Sequence, residues 1–308
     1  ANYKDIHGTH VETVSSDPSN PVNGQVWYNS TSKALKGFTQ NPVGSWATGN
    51  NMNTAREALA EAGIQTAALG FGGGAAPKQQ NESYDGTSWT ETGDLNTGRS
   101  SLMGAGTQTA ALAIGGYVDP TTAVVESWDG SSWTEVGDLN TARSDHAADG
   151  TSTSAIAFGG FVHPGTTDVT ETWNGSSWTE VSDLNTPRWA PMGVAANSTA
   201  ALCIGGYGPP PVAIVESWNG SSWTETTDIN TARGYAASGG ASSTDAVIFG
   251  GLPGDSPATN SGITEKWDGS SWTEIADMNT ARRNHGGEGT STAAVAFAGL
   301  TGSVVTST

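Results

Sequence analysis

One sequence unit recurs through most of the chain, and its spacing constrains the fold more than any single residue does. Five copies contain a glutamate followed 17 positions later by an arginine. The glutamates are Glu82, Glu126, Glu171, Glu216 and Glu265, and the arginines are Arg99, Arg143, Arg188, Arg233 and Arg282. With Arg56 in front, the six arginines lie 43, 44, 45, 45 and 49 residues apart. Periods of this length are typical of repeat arrays, in which one unit cannot bury its apolar face alone.

Each unit is predicted to contain four short strands, A to D. In the third copy we expect them over residues 145–150, 155–160, 169–173 and 178–181, with strand A innermost. An Asn-Gly or Asp-Gly dipeptide separates C from D in all five copies, and such dipeptides favour tight hairpins. The Ala-rich stretch 54–62 has a helical composition, but its place in the repeat predicts an approach to strand A.

These features resemble the kelch repeat: a glycine pair ends strand B, Glu-x-aromatic-Asp/Asn opens the C to D hairpin, a tryptophan follows, and a polar loop ends in arginine. The resemblance covers Trp46 to the last residue. It implies an all-β, six-bladed kelch-like β-propeller. We place the propeller at residues 43–308, after an attachment arm with a small β-hairpin at residues 1–42.

The two ends of the repeat region are complementary. Arg282 and the residues after it supply strands A and B and then the start of strand C, without a tryptophan strand D. Trp46 supplies a strand D without a preceding strand C. We therefore expect N- and C-terminal strands to close the ring, which would also pair edges that an open sheet leaves exposed.

Tryptophan is expected to form the core, because the many Gly, Ala, Ser and Thr residues cannot fill one. Most of the 12 tryptophans occupy two repeat positions. The strand D position holds Trp46, Trp89, Trp133, Trp178, Trp223 and Trp272, and the strand C position holds Trp128, Trp173, Trp218 and Trp267. The single cysteine, Cys203, lies in strand B and is read as a small buried side chain.

The net charge of −18 disfavours binding to nucleic acid or to an anionic membrane surface, since both attract clustered Lys and Arg. No apolar run is long enough to span a bilayer. The polar start ANYKDIHGTH does not look like a secretory signal, so we expect either a cleaved mature form or a product made in the cytoplasm.

The N-terminal region has its own pattern. Turn dipeptides between residues 17 and 24 precede two predicted strands, 25–29 and 33–38. The stretch DPSNPVNGQVWYNSTSKALKGF resembles a short module near the N-termini of structural and fibre proteins of tailed bacteriophages, particularly marine ones. A generic hairpin capping the propeller is the alternative.

Enzymatic and metal-binding interpretations find little support. The motif S-x-D-G-x-S-W is similar to the Asp box of sialidases, one position shorter, but Asp boxes are structural turns. The repeat arginines are equivalent, so we expect them to tie blades together through charge-assisted hydrogen bonds. His146 and His285 share one repeat position, and His7 and His10 would bind metal only where several chains meet. We predict no catalytic residue, metal or cofactor.

Variation among the copies is concentrated between strands B and C, where the segments from glycine pair to glutamate contain 8, 9, 10, 9 and 13 residues. These loops and the D to A loops emerge on one face. Binding specificity often lies in such loops, although unselected drift would produce the same pattern. The candidate ligand-binding residues are Trp189 and Tyr235 for stacking, Arg283 and His285 as polar partners, and Asp145 and Glu57 at the channel mouth.

The expected function is that of a non-enzymatic phage virion protein: a tail fibre, appendage or decoration, present in many copies. The arm would bind other virion proteins, and the variable face a host polysaccharide or receptor. One alternative is a secreted or surface bacterial propeller for adhesion or matrix assembly. A sialidase-like glycan hydrolase is a minor one.

Overall fold

The computed structural model describes residues 5–6, 9–10, 12–16, 26–31, 33–37, 45–74, 78–208, 210–254 and 259–307. The chain divides into two compact units, Ala1–Gly44 and Ser45–Thr308. The division falls two residues after the domain boundary that we expected at 42/43. No helix in the described part of the chain is long and apolar enough to span a membrane.

The described residues of the N-terminal unit form five short strands. They are β1 (Asp5–Ile6), β2 (Thr9–His10), β3 (Glu12–Val14), β4 (Val26–Asn29) and β5 (Ala34–Gly37). The predicted hairpin is present, because β4 and β5 pair antiparallel around residues 30–33. Strand β3 pairs parallel to β4, which the sequence did not indicate. The predicted turns at residues 17–24 lie outside the described residues.

Most of the second unit is five antiparallel four-stranded sheets, the blades of a β-propeller. The first is β6 (Ala60–Ile64), β7 (Ala67–Phe71), β8 (Asn81–Tyr84) and β9 (Trp89–Glu91). The second is β10 (Met103–Thr107), β11 (Ala110–Ile114), β12 (Val125–Trp128) and β13 (Trp133–Glu135). The third is β14 (Ala147–Thr151), β15 (Ser154–Phe158), β18 (Thr170–Trp173) and β19 (Trp178–Glu180), and its B to C loop carries the hairpin β16 (Phe161–Val162) and β17 (Gly165–Thr166).

The fourth blade is β20 (Met192–Asn197), β21 (Ala200–Ile204), β22 (Val215–Trp218) and β23 (Trp223–Glu225). The fifth is β24 (Ala237–Ser242), β25 (Asp245–Phe249), β26 (Thr264–Trp267) and β27 (Trp272–Ile275). After it come β28 (Gly286–Thr290) and β29 (Ala293–Phe297), which among the described strands pair only with each other. We call this pair the seam hairpin.

The blade count differs from the prediction: the described structure has five four-stranded blades, not six. The sixth repeat forms only the two-stranded seam hairpin. Residues from both ends of the repeat region do meet beside it, since Met52 N donates to Thr306 O at 3.0 Å. They form no closing strands, however, because no described strand lies between them to complete a ladder.

The strand order within each blade is the predicted one, with A innermost. Each strand A contacts the strand A of the next blade, and the ring passes from β24 through β28 back to β6. In the third copy strand A begins at Ala147 and not at residue 145, because Asp145 has φ 47°, which a strand does not accommodate. Residues 54–59 are not helical, as their place in the repeat indicated.

The repeat tryptophans form the core, as predicted. Those of strands C and D in the five complete blades are at most 6% exposed, whereas Trp46, predicted as a further strand D tryptophan, lies in no described strand and is only half-buried. Within the second blade, Trp128 and Trp133 have ring centroids 5.3 Å apart. Between blades, Phe158 of the third contacts Trp223 of the fourth at 4.9 Å. Such tilted aromatic pairs add to the apolar burial that joins neighbouring blades.

Cys203 is fully buried in strand β21. Its Sγ lies 3.0 Å from Arg188 Nη2, and burial raises the pKa of the thiol to about 11. A protonated buried thiol is a poor nucleophile, which agrees with the packing role expected for it.

Candidate functional site

The repeat arginines and glutamates form buried ion pairs. In all five blades an arginine nitrogen lies 2.7 to 3.2 Å from the glutamate, and both side chains are 0% exposed. In the third blade Glu171 also accepts hydrogen bonds from the Asn140 backbone and side chain, both at 2.7 Å. Asn140 lies in the loop that leaves the second blade, so the network ties adjacent blades together, as the sequence predicted. These arginines are not available to an anionic substrate.

A closed ring of backbone hydrogen bonds surrounds the channel mouth. At the second position after each repeat arginine, the residue has a left-handed φ between 46° and 56°. Its N–H donates to the carbonyl of the equivalent residue one repeat before, at 2.6 to 3.2 Å. The six residues are Ala58, Ser101, Asp145, Ala190, Tyr235 and Asn284. The ring includes the repeat that forms the seam hairpin, so the propeller is closed.

Three of the predicted site residues meet at this mouth. Asp145, Tyr235 and His285 line one small cavity of about 70 Å³. Burial and the nearby Asp145 carboxylate raise the pKa of Tyr235 to about 12, and burial raises the pKa of Asp145 itself. Glu57 lies outside this cavity, where its Oε2 is 3.5 Å from Asn284 Nδ2. The mouth is therefore narrow, and its lining combines these polar groups with apolar side chains such as Leu102 and Met103.

Trp189 belongs to a cluster of four aromatic side chains on the same face. Its ring centroid lies 5.0 Å from Phe161, 5.8 Å from Tyr207 and 6.3 Å from Tyr235. All four side chains are half-buried. The Trp189 indole Nε1 has no hydrogen-bond partner among the described residues. We call Phe161, Trp189, Tyr207 and Tyr235 the aromatic cluster.

Arg283 is not part of the aromatic cluster. It lines a separate cleft of about 460 Å³ beside the loop of the fifth blade, where its Nη1 donates to Asn260 Oδ1 at 2.7 Å. The structure therefore places the candidate ligand-binding residues at three sites: the channel mouth, the aromatic cluster and the cleft beside Arg283, which we call the arginine cleft.

Sequence reasoning missed two members of the aromatic cluster. Phe161 and Tyr207 each follow a strand B glycine pair, and the backbone of Tyr207 pairs with that of Trp189. The sequence does contain a signal for these two residues, because the residue that follows the glycine pair differs among the copies. Loop length, which also varies among the copies, does not reveal it.

The channel holds three carboxylates that the sequence did not single out. Glu61, Asp149 and Glu288 each lie on an innermost strand. Desolvation, reinforced by Asp149, raises the pKa of Glu61 to about 8. Desolvation raises the pKa of Asp149 to about 7 and that of Glu288 well above its usual value. Glu61 and Glu288 therefore keep their protons in the folded state at neutral pH, whereas Asp149 is about half-protonated there.

The two channel histidines are also uncharged. Desolvation lowers the pKa of His285 to about 3 and that of His146 well below its usual value. Among the described residues no group of three or more potential ligands is arranged to hold a metal ion. His7, predicted only as a possible ligand with His10 between chains, lies outside the described residues.

We expect the free energy of unfolding to fall as the pH rises from 6.5 to 8. In this range Glu61 and Glu288 stay largely protonated in the folded chain and are ionised in the unfolded one. The unfolded histidines, about half protonated at pH 6.5, oppose this slope only near the lower end of the range. Each proton retained on folding gives a slope of about −1.4 kcal/mol per pH unit. Urea denaturation at several pH values measures it.

The matched variants are Glu288→Gln in the channel and Glu180→Gln on an exposed outer strand position. Glu288→Gln should flatten the decline above pH 6.5, and Glu180→Gln should leave it unchanged. Below pH 6.5 the histidines contribute a slope of the opposite sign. They bind protons only in the unfolded chain, so their contribution makes the free energy of unfolding rise with pH. An equally steep decline in Glu288→Gln would show that this carboxylate does not contribute.

The sequence matches no family model, and no curated protein is similar to it.

Proposed function

We propose that this protein is a non-enzymatic binding module whose variable face holds a surface polymer, with the aromatic cluster as the contact site. The observation that carries the proposal is the position of the cluster. All four rings occupy places where the repeats differ, whereas the residues that hold the blades together are repeated. Exposed aromatic faces on a rigid scaffold stack against sugar rings or apolar groups.

We also propose that the protein has no catalytic activity. Five repeat arginines and their glutamates are buried against each other, which leaves none of them for substrate chemistry. The D–G turns between strands C and D are filled by their own chain: Asp129 Oδ1 accepts from the backbone N–H groups of Ser131 and Ser132, each at 2.8 Å. These contacts favour a structural reading of the Asp-box-like motif.

We further propose the setting suggested by the sequence: a tailed-bacteriophage virion, with a kelch-like propeller displayed from an N-terminal arm. Its support is the resemblance of residues 17–38 to a phage module. Peptide mass spectrometry and cryo-EM of purified particles test it, and particles that lack the protein would overturn the setting without affecting the binding site. An export signal encoded upstream of Ala1 would favour the alternative of a bacterial surface protein.

Binding is tested by a glycan array and host-cell adsorption with purified protein. We expect Trp189→Ala to weaken binding about tenfold, the loss of one aromatic contact of about 1.4 kcal/mol. Tyr117→Ala is the matched control, because Tyr117 is an exposed aromatic residue on the same face that lies outside the cluster. Binding that survives Trp189→Ala, or is lost equally in Tyr117→Ala, would contradict the assignment.

A further inference from the structure

The rings of the aromatic cluster are inclined to one another and are not stacked in parallel. Trp189, Tyr207 and Tyr235 form a triangle whose ring centroids are 5.8, 6.3 and 6.3 Å apart. Their planes meet at angles of 65°, 61° and 46°. Rings inclined in this way can turn their faces toward one point above the triangle, which parallel rings cannot do. Phe161 supports the triangle from the third blade, with its centroid 5.0 Å from that of Trp189.

Backbone hydrogen bonds fix the residues that carry these three rings. Trp189 N donates to Tyr207 O at 3.0 Å, and Tyr207 N donates to Trp189 O at 2.7 Å. Tyr235 N donates at 3.2 Å to the carbonyl of Ala190, the residue after Trp189, as part of the ring around the channel mouth. The triangle is therefore held by the scaffold, so a ligand would bind it with little loss of conformational freedom in the protein.

The triangle is open to solvent, because each of its three side chains is only half-buried. A cation placed over it lies within about 6 Å of all three centroids, the range in which an aromatic ring attracts positive charge. A flat sugar ring covers one aromatic face well, whereas three inclined faces surround a compact, rounded group. The geometry therefore favours a rounded cationic group as the part of a ligand that contacts the triangle.

The charges near the triangle also favour a cation. Asp145 lines the same small cavity as Tyr235. Burial and then the Asp145 carboxylate raise the pKa of Tyr235 to about 12, while Arg283 acts in the opposite direction with a smaller effect. Tyr235 thus keeps its proton, and the charge that acts on it most strongly is negative. The net charge of −18 adds a long-range attraction for cations.

The chemistry of the rings distinguishes between kinds of ammonium group. Indole is only a hydrogen-bond donor, so the two tyrosine hydroxyls are the only acceptors that the three rings provide. A primary ammonium group has three N–H donors, and leaving them without acceptors on an aromatic surface is costly. A quaternary ammonium group has no N–H and loses no hydrogen bond there. Aromatic side chains that surround a quaternary ammonium group are a known mode of recognition for it.

We propose that the triangle of Trp189, Tyr207 and Tyr235 binds a quaternary ammonium group, such as the choline group of a choline-substituted polymer. The trimethylammonium group lies over the three rings, and Asp145 offsets part of its charge. This inference rests on the proposed function, because it names the chemical group through which the surface polymer is held.

The test compares choline with its neutral tert-butyl analogue, in which carbon replaces the charged nitrogen and the shape is kept. Ligand-observed NMR titrations with the full chain give both dissociation constants. Choline should bind at least about tenfold more tightly, because three ring faces attract only the cation. Equal affinities would overturn the proposal. Glucosamine, a primary ammonium ligand, should bind more weakly than choline, and the reverse order would overturn the assignment of a quaternary group.

Protein variants locate the site. Tyr207→Leu keeps an apolar side chain and removes one ring face, so it should weaken choline binding about fivefold and change binding of the neutral analogue little. Tyr117→Leu is the matched control. Tyr117 also follows a strand B glycine pair and pairs with the residue after a repeat arginine, but it lies outside the aromatic cluster. It should change neither constant.

The charge is tested by Asp145→Asn, which keeps the shape of the side chain and should reduce the preference for choline over the analogue about threefold. An unchanged preference in Tyr207→Leu, or an equal loss in Tyr117→Leu, would overturn the assigned site.

The ammonium site and the polymer-binding function fail in different ways. A polymer that is bound through Trp189 on the glycan array, together with equal affinities for choline and its analogue, would overturn the ammonium site and leave the polymer-binding function standing. A preference for choline that is lost in Tyr207→Leu, together with no binding of any polymer, would support the ammonium site and overturn the polymer-binding function.

Discussion

Replacing Glu171 with alanine is expected to lower the free energy of unfolding by about 3–5 kcal/mol, the usual effect of leaving a buried charge without its partner. Glu171 Oε1 lies 3.1 Å from Arg143 Nη2, and both side chains are fully buried. The substitution also removes the acceptor for Asn140. Glu171→Gln should be nearly as harmful, because it keeps the shape and removes the charge. Equilibrium denaturation in urea, followed by tryptophan fluorescence, gives the value.

The control for this experiment is Glu180→Ala on the adjacent strand, an exposed position where the change should stay within about 0.5 kcal/mol. The double variant Arg143→Met, Glu171→Leu should lose clearly less stability than the two single changes added together, because no unpaired charge remains. Additive losses, or a Glu171→Ala variant as stable as Glu180→Ala, would show that the ion pair does not hold the blade.

Gly104→Ala is the second change with a large expected effect. An added Cβ at Gly104 in β10 would lie 1.8 Å from the Glu61 carbonyl oxygen of β6 and 2.9 Å from Phe71 Cζ. The first contact is with backbone of the neighbouring blade, so no side-chain movement relieves it. We expect a loss of at least about 3 kcal/mol, the upper end of the range for overpacked cores.

Gly165→Ala is the matched control, because nothing lies within 4 Å of its added Cβ. It should stay within about 0.5 kcal/mol of the unaltered protein in the same denaturation measurement. If Gly104→Ala were equally harmless, the innermost strands of the first and second blades would have to be farther apart than the structure places them.

Local features were predictable from the residues. The Asp-Gly and Asn-Gly pairs place the C to D hairpins, since their side chains and positive φ values suit tight turns. Gly130 has φ 94° at one of these turns. The sequence also predicted that the repeat arginines tie adjacent blades through charge-assisted hydrogen bonds, but it did not identify their partners. Each of five arginines pairs with the glutamate 26 to 32 positions after it, and not with a glutamate 17 positions before it.

The channel and the aromatic cluster were only partly predictable. Trp189 and Tyr235 stood out at positions following an arginine, but Phe161 and Tyr207 come from other loops and join them only through the packing of the third and fourth blades. Asp149 and Glu288 share one repeat position, six residues after an arginine, whereas Glu61 lies five residues after Arg56. Their raised pKa values depend on shared burial, which no local pattern encodes.

The sequence by itself determined the repeating strand unit and its turns, because these depend on residues at short, repeated spacings. The buried ion pairs join residues 26 to 32 positions apart and form only where neighbouring blades pack. Tertiary structure alone decided how the ring closes. Six backbone hydrogen bonds circle the channel mouth, yet only five repeats complete a four-stranded blade. A strand is held in place by hydrogen bonds to a neighbouring strand along its edge. Whether the last blade is completed between Trp46 and Ser307 therefore depends on which segment packs between them in the folded protein.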